Sequence, residues 1–109
     1  MNIEFINPFV EASYEILKEV LQVDIRREDI YLKDRVTEIQ GVAALIGLLG
    51  CAEGRLLLDM NADTAIKICS MMTGETYTTV DEMVVNSITE LANMITANAV
   101  TKLHNRGYN

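Results

Sequence analysis

The sequence predicts an α+β domain in which an antiparallel sheet is covered by helices. Three observations lead to that class. Apolar residues recur at helical spacing in three segments, two short apolar runs flank a glycine-containing turn, and the order helix, strands, helix, long helix suits a sheet packed on one face. Composition agrees. The chain has 109 residues, 50% hydrophobic and 23% charged, enough for one globular domain with a single core that needs neither disulfides nor metals.

The first helix starts at Asn7-Pro8, since Asn caps orphan amides and Pro suits the first helical position. Phe9, Ala12, Ile16 and Val20 then recur at helical spacing, with Leu17 and Leu21 widening the stripe, so the helix is expected from Pro8 to Gln22. Ile30 and Leu32 alternate with polar neighbours as in a strand. Val42 to Leu48 is a second strand, broken only by Gly47. Gly50-Cys51-Ala52-Glu53-Gly54 supplies the turn before a strand from Arg55 to Met60, and the two runs are expected to pair as a hairpin. Asn61 or Asp63 caps a second helix with Ala62, Ala65, Ile66, Cys69 and Met72 on its buried face, and Gly74 gives a left-handed stop. Thr79-Val80-Asp81-Glu82 fits a capping box, after which a long helix runs to about His104 and Gly107 ends it.

Nine Lys plus Arg against sixteen Asp plus Glu give a formal net charge of −7, which opposes the counterion release that drives nucleic-acid binding. The N-terminus lacks a basic-then-apolar leader and no apolar run approaches the ~18 residues of a membrane span, so a cytoplasmic chain without membrane contact is expected. Cys51 and Cys69 form no C-x-x-C pair. With His104 as the single histidine, two buried thiols and an exposed imidazole are expected rather than a zinc site. No Ser-His-Asp or Cys-His set, no phosphate-cradling glycine loop and no carboxylate cluster at metal-ligand spacing is present, so self-contained catalysis is not expected.

The long helix is the informative segment. Advancing it about 100° per residue puts Val84, Ile88, Leu91, Ala92, Ile95 and Ala99 on one side. Asn86, Glu90, Asn93 and Ala97 fall on the other, with Met83 and Met94 beside them. A solvent face needs no methionines, whereas a docking surface uses their flexible thioethers. Met83, Asn86, Met94 and Ala97 are therefore candidate partner-docking residues. Glu90 and Asn93 lie three apart, about 4.5 Å along the axis, and point the same way. A neutral carboxamide can orient a water beside an anionic phosphoryl group without repelling it, while a carboxylate suits a partner's cation at the rim. The spacing alone leaves a solvated helix face open, because E-x-x-N also occurs at Glu4 and Asn7, where Asn7 serves better as a cap.

Ile6-Asn7-Pro8-Phe9, the Val42-to-Gly50 region with Gly54 after it, Asp81-Glu82-Met83, Glu90-Leu91-Ala92-Asn93-Met94-Ile95 and Asn98-Ala99 together resemble the CheX-like members of the CheC/CheX/FliY chemotaxis phosphatases. The likeness runs along essentially the whole chain. It implies a CheC-like fold and an enzyme, a protein-aspartyl-phosphate phosphatase, that dephosphorylates a CheY-type response regulator. In that role Glu90 contacts the regulator's active-site lysine and Asn93 positions the attacking water. The phosphorylated regulator is then the partner, and the nucleophile, the lysine and the Mg2+ all belong to it, so the chain needs no cofactor of its own.

CheC-like members carry a second E-x-x-N on the first helix. Here Glu11 is followed three residues later by Tyr14 and Glu15 by Lys18, so one site per chain is expected, as in CheX-like proteins. The resemblance also implies a homodimer joined through its sheets. The family domain continues with further strands after the long helix, so residues 1–109 are expected to form one domain incomplete at its C-terminal end, a shortened homologue, or a chain that completes its sheet with another copy. Two other functions fit the same face: a non-catalytic docking module for a chemotaxis regulator, and a structural assembly element.

Overall fold

The computed structural model describes residues 3–22, 41–48 and 54–107. Within them the chain forms helix α1 (Ile3–Leu21), strands β1 (Val42–Leu48) and β2 (Gly54–Met60), helix α2 (Ala62–Thr73) and helix α3 (Glu82–Asn105). Three helices with a two-stranded antiparallel sheet are the α+β order the sequence predicts. The expected strand at Ile30 and Leu32, the turn at residues 50–53 and Cys51 lie outside the described residues.

The two strands pair antiparallel, from Val42 opposite Met60 to Leu48 opposite Gly54. Because side chains alternate across the pleat, Val42, Ala44 and Ile46 share one face with their partners Met60, Leu58 and Leu56. That face joins the core, with Val42 and Ala44 buried. Leu45 points the other way and is 58% exposed.

Helix α1 starts a turn earlier than the proline suggests. Asn7 is exposed and mid-helix rather than a cap, and Pro8 sits inside the helix. Its nitrogen offers no proton to the carbonyl four residues back, a cost that ordinarily ends helices. Here Pro8 is fully buried beside Ala12 and Ile16 on the same stripe, and that packing outweighs the missing bond. The helix ends with Gln22 in the left-handed region, φ 55, its N–H donating to the Lys18 carbonyl at 2.8 Å.

Helix α2 is capped by Asn61, whose side-chain oxygen accepts from the Thr64 N–H at 2.9 Å. It stops at Gly74, φ 76, as expected. Its buried residues are Ala65, Ile68 and Cys69, while Ile66 and Met72 pack partly against the core. Ala62 is exposed rather than buried, because the first helical residue lies at the mouth of the β2–α2 turn; Ile68 takes the place in the core. The chain then crosses to α3. The Tyr77 N–H donates to Ser70 Oγ at 3.3 Å and its hydroxyl donates to Glu75 Oε2 at 3.2 Å. Desolvation first, and then the Glu75 carboxylate, hold the Tyr77 phenol above its ordinary pKa, against a lowering hydrogen bond with Thr73.

The cap of α3 is Asp81, not Thr79. Its carboxylate accepts from the Val84 N–H at 3.0 Å, so the cap lies two residues later than the S/T-x-x-E pattern implies, and Val84 at N3 has no side chain that could return a bond and complete a box. Val80 and Val85 occupy the positions of a hydrophobic staple around that cap, which accounts for two exposed valines. At the far end the Gly107 N–H donates to the His104 carbonyl at 3.0 Å with φ 94, the glycine stop that was expected. Helix α3 packs on α1, α2 and both strands. Its pairing with α1 is antiparallel, since Glu11 meets Arg106 at 2.8 Å and Glu15 meets Lys102 at 2.9 Å.

Candidate functional site

Helix α3 buries Val84, Ser87, Ile88, Leu91, Ala92, Ile95, Ala99 and Leu103. All six residues assigned to the inner face by helical geometry are there, with Ser87 and Leu103 added. Because these positions are held from three sides, the helix cannot turn far about its axis without opening the core, and the general direction of the opposite face is set.

That opposite face presents Asn86, Glu90, Asn93 and Ala97, all exposed, with Met83 46% exposed at its N-terminal end. Among the described residues the side chains of Glu90 and Asn93 make no hydrogen bond or ion pair. They are free to reach outward together. Met94 differs from the expectation: it is half-buried and packs against the core, because its flank is closed by neighbouring elements. Of the four candidate docking side chains, three stand on the open stripe and one supports the core.

The electrostatics suit an outward-reaching pair. Asp81 and Glu82 lie at the positive end of the helix dipole and Lys102 near its negative end, so the charges at both termini offset the dipole. Between them Glu90 is the charged residue on the stripe Asn86, Glu90, Asn93 and Ala97. Two polar α3 atoms, Thr96 Oγ1 and Asn98 Oδ1, are buried without a partner. They stand off this stripe, on its flanks, and do not join Glu90 and Asn93. His104 is exposed and Cys69 is a buried free thiol. Among the described residues no group of His, Cys, Asp or Glu could hold a metal ion, and no helix is long and apolar enough to cross a membrane.

Residues 42–109, from β1 through the whole of α3, match the family described as chemotaxis phosphatase CheX. The chain belongs to the CheX family. A relative named CheY-P phosphatase CheX, from Thermotoga maritima, is 28% identical over 108 residues, covering 98% of this chain and 70% of its own length. Among solved structures, a CheX–CheY–BeF3–Mg2+ complex from Borrelia burgdorferi is 34% identical with a TM-score of 0.76, over 98% of this chain and 71% of that one. The chemotaxis protein CheX from Vibrio vulnificus has a TM-score of 0.85 at 27% identity, over 97% and 71%. The sheet-and-helix arrangement is thus that of CheX and of CheC-like superfamily proteins.

The residue that sequence reasoning missed in this region is Ser87. Its hydroxyl donates to the Cys69 thiol at 3.2 Å, across the α2–α3 contact. A serine on an apolar stripe reads as an interruption of the pattern, and its partner 18 positions away leaves no local signal.

Proposed function

We propose that this chain dephosphorylates the aspartyl phosphate of a CheY-type response regulator. The regulator supplies the phosphorylated carboxyl group, the Mg2+ and the lysine; the chain supplies α3. Asn93 orients a water in line with the phosphorus through its carboxamide, which is neutral and so not repelled by the phosphoryl oxygens. The water oxygen forms the new P–O bond as the bond to the aspartyl oxygen breaks. The carboxylate stays on the regulator, and the water's proton leaves with inorganic phosphate. Glu90 pairs with the regulator's lysine and sets the docking angle by a charge-assisted bond. Met83, Asn86 and Ala97 fill the surrounding contact. The same reading takes the working unit as a cytoplasmic homodimer, which sedimentation velocity tests.

The observation that supports this reading is the exposed Glu90–Asn93 pair, whose side chains have no partner among the described residues, one turn apart on the open face of a helix whose other face is packed in the core. The family relation, one relative named CheY-P phosphatase CheX and the CheX–CheY complex among the solved structures support the substrate class. The test is phosphate release from a phosphorylated receiver with wild type, Asn93→Ala and Glu90→Ala. Loss of Asn93 should cut kcat on the order of 10²-fold. Loss of Glu90 should chiefly weaken docking, by about tenfold or more in KM. An Asn93→Ala rate equal to wild type sinks the mechanism.

A further inference from the structure

Ser87 is the polar side chain that the core takes in among the described residues, 7% exposed in an otherwise apolar set. Packing alone gives no reason for it, since alanine fits beside Val84 and Leu91 without desolvating a hydroxyl. The hydroxyl is bonded. Ser87 Oγ donates to Cys69 Sγ at 3.2 Å, and Cys69 Sγ donates to the Met83 carbonyl at 3.7 Å. Cys69 is fully buried on α2, and α2 is tied to the end of β2 through its Asn61 cap. The relay therefore joins the frame of β2 and α2 to the first two turns of α3.

We infer that Ser87 is a positioning residue for the docking face: through Cys69 it sets the rotation of the first two turns, which carry Met83 and Asn86 and lead into Glu90. Apolar side chains resist separation but tolerate small rotation, whereas a directional relay with two anchor points does not. A helix rotated by ~20° moves a side-chain tip ~6 Å from the axis by ~2 Å. A displacement of ~1 Å is already costly for a positioned group. Asn93 stands beyond this region, where Leu91, Ala92 and Ile95 hold the helix, so the relay acts on docking more than on the chemical step.

The inference rests on the regulator-phosphatase reading above, and it separates KM from kcat. Circular dichroism melts first set an assay temperature at which every variant is folded. Ser87→Ala and Cys69→Ala should each raise KM for the phosphorylated regulator about fivefold, with kcat within about twofold of wild type. Cys69→Ser keeps a donor and an acceptor on the same Cβ, with a shorter reach that a small local adjustment can close, and should return KM toward the wild-type value. An inactive wild type sinks the phosphatase reading and this inference with it. An active wild type whose KM is indifferent to Ser87→Ala overturns the inference alone, as does Cys69→Ser behaving like Cys69→Ala, which would assign the effect to packing.

Discussion

Two substitutions two residues apart on α3, Leu91→Ala and Asn93→Ala, should have opposite consequences. Leu91 is 0% exposed and sits in the core between α1, the sheet and α2, so truncation removes its transfer free energy and leaves a cavity. The expected loss is about 2–5 kcal/mol, against a total stability of about 5–15 kcal/mol for a domain of this size. Asn93 is exposed with no side-chain partner among the described residues, and alanine is the better helix former, so Asn93→Ala should leave stability unchanged or raise it by about 0.5 kcal/mol. In dephosphorylation the order reverses. Asn93→Ala loses about 2.7 kcal/mol of transition-state stabilisation, the equivalent of 10²-fold, while folded Leu91→Ala at low temperature keeps most of its turnover. Urea unfolding and single-turnover phosphate release on the same preparations measure both. A destabilised Asn93→Ala would mean that the side chain has a structural partner, and the division of α3 into a packed face and a working face would then be wrong.

Two further outcomes follow from the fold. A Cβ on Gly41 would lie 2.9 Å from the Met60 carbonyl oxygen, 3.1 Å from the Ala62 nitrogen and 3.2 Å from Asn61 Cα, all backbone atoms that must shift; Gly41→Ala should cost about 1–3 kcal/mol and lower Tm by at least about 5 °C, and an unchanged melt would refute the close approach. The raised pKa of Tyr77 favours its neutral form in the fold, so the associated stability is fully present below the unfolded phenol's value near 10 and is lost as pH rises through the folded value. Wild type should therefore lose more stability than Tyr77→Phe between about pH 9 and about pH 11, and parallel curves would remove Tyr77 as the cause.

The parts of this fold that were legible in the sequence are those where one local rule acts unopposed. Val42 to Leu48 has the same bounds in both, because an apolar run flanked by glycines has few other uses. The inner face of α3 follows from rotation of 100° per residue, and nothing in the tertiary structure contradicts it. Pro8 failed because a backbone rule met tertiary burial and lost, and Thr79 failed because two overlapping cap patterns compete within three residues and only dihedral geometry chooses between them. Met94 failed for a third reason: it lies on the edge between faces, where the neighbouring elements decide whether a side chain is covered. The positions of Glu90 and Asn93 were legible from periodicity, but their roles were not, since E-x-x-N recurs at Glu4 and Asn7; only the longer motif around them distinguishes the two occurrences.

The ion pairs of α1 bear on why Glu11 and Glu15 do not form a second site of the kind proposed for Glu90 on α3. Glu11 and Glu15 project toward the end of α3, and both are taken: Glu11 by Arg106 at 2.8 Å and Glu15 by Lys102 at 2.9 Å. Each pair is partly exposed and contributes at most about 1 kcal/mol to stability, so their larger effect is on availability. A carboxylate already facing a guanidinium must give up that partner before it can reach a lysine on another protein, and the residues three positions on, Tyr14 and Lys18, offer no carboxamide to orient water. Among the described residues Glu90 carries no such tie, and Asn93 stands one turn on from it. Of two antiparallel helices that each carry glutamates, α1 has Glu11 and Glu15 engaged by the end of α3, whereas Glu90 on α3 is exposed and is the carboxylate left available to the regulator lysine in the proposed reading.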